Sequence, residues 1–313
     1  MQEKITKHLL TLINNGSQAI KNQFVYPSEM SKTIFPEDSL GEESKYSPVK
    51  GIVHKYKNRV LWKVSFRCAA HCQFCTRRRQ IGSEIGDLTQ EDIDNAIIYI
   101  SSIPVIDDVI LSGGDPFVTP NITTLILERL YQVKNIKVIR IGTRLPIQLP
   151  ESFNSSAVQE LLKIISFVNK SIPIYMQIHV NHPDELCTGA INSIKRIKKT
   201  GVIILSQTVF LREINDDVNI LRKLFTSLYK IGVLPYYIYR CDYIKGLESY
   251  ICPIENEKKI MTEIRRQLSG LATPLYIIDV PGKGKVPVPL NFWKNIDTNS
   301  CKDFDGELID LQY

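Results

Sequence analysis

Short β-branched runs alternating with amphipathic stripes constrain this chain more than any other feature. The runs fall at 60–66, 105–111, 136–141, 172–180, 202–209, 233–239 and 275–278. Thr89, with Asp92 three residues on, predicts a helix start, and Ile93, Ala96, Ile97 and Ile100 share one face of that helix. Leu221, Leu224, Phe225 and Leu228 repeat the spacing after Asp216-Asp217, and Gly232 predicts the stop. Ile260, Ile264 and Leu268 form another stripe, closed by Gly270. Strands separated by helices pair in parallel, because a parallel connection needs a crossover. Six or seven such units without a Gly-x-Gly-x-x-Gly turn fit an open or partial barrel better than a nucleotide-binding doubly wound sheet. The expected fold class is therefore α/β, a partial (β/α) barrel, with chemistry at the C-terminal ends of its strands.

The 313 residues suffice for one large core with terminal additions. Residues 1–50 are polar and irregular and read as an N-terminal helical arm with a lead-in; 51–250 read as the barrel, and 251–313 as a short C-terminal extension carrying a lysine loop. The apolar runs are strand-length, short of the ~20 residues that span a bilayer. The start, Met1-Gln2-Glu3-Lys4, has no apolar run leading to a cleavage site. A cytoplasmic protein without signal peptide or membrane span is expected. The net charge of +6 is mild, and the basic run Lys195, Arg196, Lys198, Lys199 lacks interleaved aromatics. It reads as a solvated helix face, not a nucleic-acid site.

Three of the seven cysteines fall within eight residues, after the first long strand: Cys68-Ala69-Ala70-His71-Cys72-Gln73-Phe74-Cys75. Clustered cysteines in a cytosolic chain favour metal ligation over disulfides. Three thiolates on one loop can hold three irons of a four-iron cluster and leave the fourth open. Structural zinc normally takes four closed ligands; this segment offers three cysteines and His71, with no second clustered pair downstream. A noncatalytic iron–sulfur or zinc-binding protein is the alternative from another class. One strand later comes Leu111-Ser112-Gly113-Gly114-Asp115-Pro116, whose glycines permit close backbone approach to a ligand and whose Asp115 could accept from an ammonium group.

The Cys-x3-Cys-x-aromatic-Cys spacing resembles the signature of the radical S-adenosylmethionine superfamily. The resemblance implies a [4Fe–4S] cluster on Cys68, Cys72 and Cys75, with Phe74 beside the adenine. Ser112, Gly113, Gly114 and Asp115 then resemble the motif that binds the methionine amino group, and His179 and Gln207 match positions lining the S-adenosylmethionine pocket.

More of the chain, from about 51 to 290, resembles the lysine 2,3-aminomutase family. The matching pieces, in order, begin at His54-Lys55-Tyr56, Cys75-Thr76-Arg77, Arg140-Ile141-Gly142, His179-Val180-Asn181, Pro235-Tyr236-Tyr237 and Asp279-Val280-Pro281. The resemblance implies an isomerase in which pyridoxal phosphate forms an imine with the substrate's α-amine and a 5′-deoxyadenosyl radical removes a hydrogen from C3. The nitrogen then migrates from C2 to C3. It also implies an amino-acid substrate, an electron-donating reductase or flavodoxin, and a possible homo-oligomer. Lys285 matches the Schiff-base lysine on a glycine-rich loop, with Lys283 as a rival two residues away. Lys55, Tyr56 and Arg59 match the segment at the cofactor phosphate, and Arg144 is a further candidate anion binder.

Arg77 matches the substrate-carboxylate binder, a role suited to a planar guanidinium. Asp242 and Asp279 match the aspartates that clamp the substrate's distal ammonium. Both acids are present, so L-lysine giving β-lysine is the leading expectation, with arginine or ornithine as alternatives. The tail holds only Cys301, unlike the longer lysine mutases with a C-terminal zinc site. That compactness resembles the subgroup making (R)-β-lysine for elongation factor P, which leaves product stereochemistry open.

Overall fold

The computed structural model describes residues 3–25, 35–43, 45–82 and 86–290, and the backbone of 300–302 and 308–310. The side chain of Cys301 lies outside the described residues. Nine strands form one sheet in strict chain order: β1 (Ile52–Tyr56), β2 (Arg59–Ser65), β3 (Asp108–Gly113), β4 (Val138–Thr143), β5 (Ile174–His179), β6 (Ile203–Val209), β7 (Leu234–Tyr239), β8 (Leu275–Val280) and β9 (Gly284–Pro287). Strands β2 to β8 are mutually parallel. β1 and β9 are antiparallel edges. A separate hairpin pairs β10 (Ser300–Lys302) with β11 (Leu308–Asp310).

The N-terminal arm supplies α1 (Lys7–Asn14) and α2 (Gln18–Phe24); the crossovers are built on α3 (Gln90–Ser102), α4 (Pro120–Tyr131), α5 (Leu145–Gln148), α6 (Ser156–Val168), α7 (Thr188–Lys198), α8 (Val218–Lys230) and α9 (Ile254–Gln267). The expected start of α3 is a capping box between Thr89 and Asp92, and Ile93, Ala96 and Ile100 are its buried face. Asp217 caps α8 by accepting from the Asn219 and Ile220 amides, and Leu221, Leu224, Phe225 and Leu228 are buried beneath it. The basic run lies at the C-terminal end of α7, where the helix dipole favours cations. No helix among the described residues is long and apolar enough to cross a membrane.

The fold is the expected α/β partial barrel, with two differences from the sequence reading. The run at 105–111 pairs only from Asp108, because the Asp107 and Asp108 amides are taken by Asn58 O. The boundary expected at 250 does not divide the sheet, since β8 and β9 continue it. The two sides of the sheet also come together: Lys55 Nζ, on the edge strand β1, lies 3.3 Å from Asp279 Oδ1, on β8 next to the other edge. That ion pair crosses the seam of the curled sheet, where no ladder hydrogen bonds run.

Candidate active site

Cys68, Cys72 and Cys75 follow β2 on a loop that the N-terminal arm holds in place. Lys4 Nζ donates to Cys68 O at 2.7 Å. The His71 and Gln73 amides donate to Lys4 O and Gln23 O, each at 2.8 Å. Leu9, Ile20 and Phe24 pack on Ala70 beneath the loop. An irregular loop cannot satisfy its own backbone, so borrowed partners define it. Residues read from sequence as a lead-in thus form the frame of the cysteine site.

Burial raises all three thiol pKa values, pushing Cys75 up to about 11 and Cys68 well above the ordinary range. The neighbouring thiols add to this at Cys68 and Cys75. At Cys72 the Arg144 guanidinium opposes it, with Nη1 donating to Sγ at 2.9 Å. Thiols that resist ionising alone fit a cationic iron cluster, whose charge stabilises the thiolates together. Among the described residues no three His, Cys, Asp or Glu side chains converge on a single-ion position, so a closed zinc site with His71 is not assembled.

Phe74 lies edge-on to His179, with ring centroids 5.7 Å apart. His179 ends β5, directly opposite Gln207 in the β5–β6 ladder, and its Nε2 is 3.0 Å from Asn181 Oδ1. Burial, aided by the charge of Arg144, pushes the imidazole down to about 3, so it is neutral in the physiological range.

Two of the residues expected at the ligand also serve the chain's own packing. A Cβ on Gly113 would lie 2.6 Å from Ser65 O, and one on Gly114 would lie 2.3 Å from Arg67 O. The glycines therefore admit the chain's own backbone on its way to Cys68, sealed by hydrogen bonds from Gly114 N to Ser65 O and from Asp115 N to Arg67 O. Ser112 pairs with Lys63 in the same ladder. Asp115, expected to accept from an ammonium, accepts within the chain from Phe117 N, Thr143 Oγ1 and Arg144 N at 2.7–2.9 Å, which ties β3 to β4.

Arg144, expected as an anion binder, lies at the cysteine loop. Its Nη2 lies 3.0 Å from Glu185 Oε2, and the guanidinium covers the Phe74 ring at 5.2 Å. Glu185 is fully buried and also accepts from the Asn181 and His182 amides. Sequence reasoning had no access to the buried set of Arg144, Glu185, Gln23 and Asn181, which spans three separate segments.

The phosphate candidates occupy the other end of the barrel. Arg59 begins β2 and Ser65 ends it, so cations and cysteines stand about 20 Å apart at ~3.3 Å per residue. Not all the polar groups gather at the C-terminal ends of the strands. Lys55 and Tyr56 close β1, and the Arg59 guanidinium covers the Tyr56 ring at 4.4 Å.

Asp242 and Asp279 lie at the C-terminal ends of β7 and β8, with Lys285 beside Asp279 on β9. Lys285 is not in a loop. Val280-Pro281-Gly282-Lys283 form a tight turn, with Lys283 N donating to Val280 O at 3.0 Å and Gly282 at φ +73°. Pro then Gly at the centre is the type II signature. The turn starts β9 and leaves Lys283 outside it, while the register sets Lys285 directly opposite Asp279. Burial opposes the Asp279 carboxylate, but Lys285 and Lys55 outweigh it and hold its pKa below the ordinary range. Burial, followed by the charge of Asp279, pushes Asp242 up to about 7.

Arg77 links this group to the cysteine loop. Its guanidinium forms a two-pronged pair with Glu42, Nε to Oε2 at 2.6 Å and Nη2 to Oε1 at 2.7 Å. Both Cys75 and Asp242 add to the stabilisation of its charge. Glu42 was absent from the sequence reading; the acidic run Glu37-Asp38…Glu42-Glu43 against Arg77-Arg78-Arg79 was the available signal.

The sequence profile of the Radical SAM superfamily matches residues 62–224. The L-lysine 2,3-aminomutase of Clostridium subterminale is 34% identical over 310 residues, covering 96% of this chain and 73% of that protein. The chain belongs to the radical SAM superfamily, within its lysine 2,3-aminomutase family. A glutamate 2,3-aminomutase of Clostridioides difficile is also related, at 29% identity over 88% of this chain and 64% of that protein. A radical SAM methyltransferase from Sphaerobacter thermophilus superposes with a TM-score of 0.49 at 12% identity, over 73% of this chain and 68% of that one. Membership of the radical SAM aminomutases makes this chain an enzyme of the isomerase class. The family implies a [4Fe–4S] cluster and S-adenosylmethionine, and lysine 2,3-aminomutases use pyridoxal phosphate.

Proposed function

We propose that this chain moves the 2-amino group of L-lysine to C3, forming β-lysine. The observation that carries the reading is the charge arrangement at the C-terminal ends of the strands: Arg77 on one side, with Asp242 and Asp279 on the other. Asp279 already holds two primary ammonium groups, those of Lys55 and Lys285. A substrate ammonium is the same chemical species, whereas the distal carboxylate of glutamate would be repelled by both aspartates.

Cys68, Cys72 and Cys75 would hold the cluster, and Phe74, His179 and Gln207 line the adjoining space for S-adenosylmethionine. Lys285 would hold pyridoxal phosphate through Nζ, with Lys55, Tyr56 and Arg59 toward its phosphate. When bound, these cofactors supply the abstracting radical and the carbonyl that carries the migrating nitrogen. The chain's own part is to bind and orient the amino acid at both ends, to keep His179 neutral, and to exclude water through the β1–β8 seam.

The test is an anaerobic assay of reconstituted protein with reductant, the three cofactors and single amino acids, with chiral analysis of the product. Conversion of lysine is expected. Conversion of arginine, ornithine or glutamate with lysine untouched would overturn the substrate, and the product's hand distinguishes the (R)-β-lysine subgroup. Electron donation by a reductase or flavodoxin and assembly into a homo-oligomer belong to the same proposal.

A further inference from the structure

We infer that Glu42 is a built-in stand-in for the substrate's α-carboxylate, holding Arg77 until an amino acid displaces it. The inference rests on the reading of Arg77 as the carboxylate binder. The Glu42 pair has the fork-to-fork geometry that an α-carboxylate would adopt. Burial works against the Glu42 charge, but Arg77 outweighs it and keeps the carboxylate ionised below its ordinary range.

The other end of the site shows the same relation. The Lys285 ammonium sits on Asp279 as a substrate ammonium would. Both charged grips for a cationic amino acid are thus met by the chain itself. The cavity beside Asp242 and Asp279, walled on one side by Ser39 of the same segment, has about 20 Å³, room for about one water. An α-carboxylate can take the place of Glu42 on Arg77 only if Glu42 withdraws, so the 35–43 segment must shift.

Its attachments suit such a shift. Besides Glu42, its contacts to the rest of the chain include the solvent-accessible pairs of Lys245 with Glu37 and Arg79 with Glu43, the Lys245 amide on Pro36 O at 3.1 Å, and Phe35 edge-on to Tyr243. Asp38 accepts from the Glu42 and Glu43 amides, so the segment is folded upon itself and can move as a unit. Lys63 Nζ approaches Glu42 O at a long 3.4 Å. Exchanging one carboxylate for another keeps the buried guanidinium paired before and after, which spares the cost of an uncompensated charge.

The experiment measures binding to the cofactor-loaded protein without reductant, so that no turnover occurs. Probes are L-lysine, L-arginine, L-glutamate and 1,5-diaminopentane, which is lysine without its carboxylate. Glu42→Gln should bind L-lysine about fivefold or more tighter than wild type and leave 1,5-diaminopentane within about twofold. Hydrogen exchange at the Lys245 amide, which donates to Pro36 O across the edge of the segment, should rise when lysine is added to wild type, and be high in the variant already. Glu42→Asp, too short to keep both prongs, should shift in the same direction if Glu42→Gln fails to fold. Unchanged or weakened lysine binding in the variants would overturn the inference, as would a variant that binds no amino acid. If lysine binds neither protein while arginine or glutamate binds more tightly to the variant, the lysine reading falls and the stand-in role holds.

Discussion

Lys285 Nζ lies 2.6 Å from Asp279 Oδ2, and the two residues are direct partners across the β8–β9 ladder. Burial alone would lower the lysine pKa, but Tyr239 and Asp279 outweigh it and push it above the ordinary range. A protonated amine is no nucleophile, so the pairing governs how readily an aldehyde couples to this lysine. Asp279→Asn should lower the pH midpoint of coupling by about one unit or more, since an opposite charge at this distance is removed. Borohydride trapping of pyridoxal phosphate across pH, followed by peptide mapping, reads both midpoint and site. A trapped peptide carrying the label on Lys283 would move the assignment to its neighbour.

Asp242 sets a pH dependence of binding. Its carboxyl is pushed up to about 7 by burial and then by Asp279, so the folded form keeps its proton where an unfolded aspartate has lost it. A cationic substrate needs the ionised form, and proton and substrate compete. Affinity for L-lysine should fall by up to about tenfold per pH unit below 7 and level off above it. Asp242→Asn should bind more weakly and show a flatter profile. Calorimetry between pH 5.5 and pH 8.5, as an experimental range of about three units, decides it; a wild-type profile without a break near 7 would remove Asp242 from recognition.

The Arg144–Glu185 pair is buried on both sides, with side-chain exposures of 6% and 0%. Arg144→Met leaves Glu185 uncompensated and should cost about 3–5 kcal/mol in denaturant unfolding. It also strips Cys72 of its guanidinium donor. Converting Glu185 to Gln in the same chain should recover most of the stability, and failure to do so would place the cost in the lost packing on Phe74.

Gly114→Ala drives a methyl group into Arg67 O, 2.3 Å from the ideal Cβ position. Backbone must move, and the backbone that moves leads into Cys68. A loss of about 1–3 kcal/mol is expected, with reduced iron content per chain after anaerobic reconstitution. Full iron loading in a stable variant would show that the close approach can relax without disturbing the cysteines.

The seven parallel strands were legible because each is an apolar-rich run with at least one face in the core, set between amphipathic helices. The edges β1 and β9 were not. His54-Lys55-Tyr56 and Gly284-Lys285-Val286 are short and mixed in polarity, and strands paired along one side carry little apolar pattern. The consequence falls on function, since these edges bear Lys55 and Lys285. The lysine expected on a loop lies on a strand because the Pro281-Gly282 turn, three residues before it, starts a hairpin.

The cysteine loop could be read from local spacing, since three thiols within eight residues have few other uses. What only the tertiary structure decided is which charge meets which. Glu42 reaches Arg77 across 35 residues, Arg144 reaches Cys72 across 72, and Lys55 reaches Asp279 across 224. Hydrophobic periodicity repeats along the chain and can be read there, whereas an ion pair is a contact in space, set by how far the sheet curls before its edges meet.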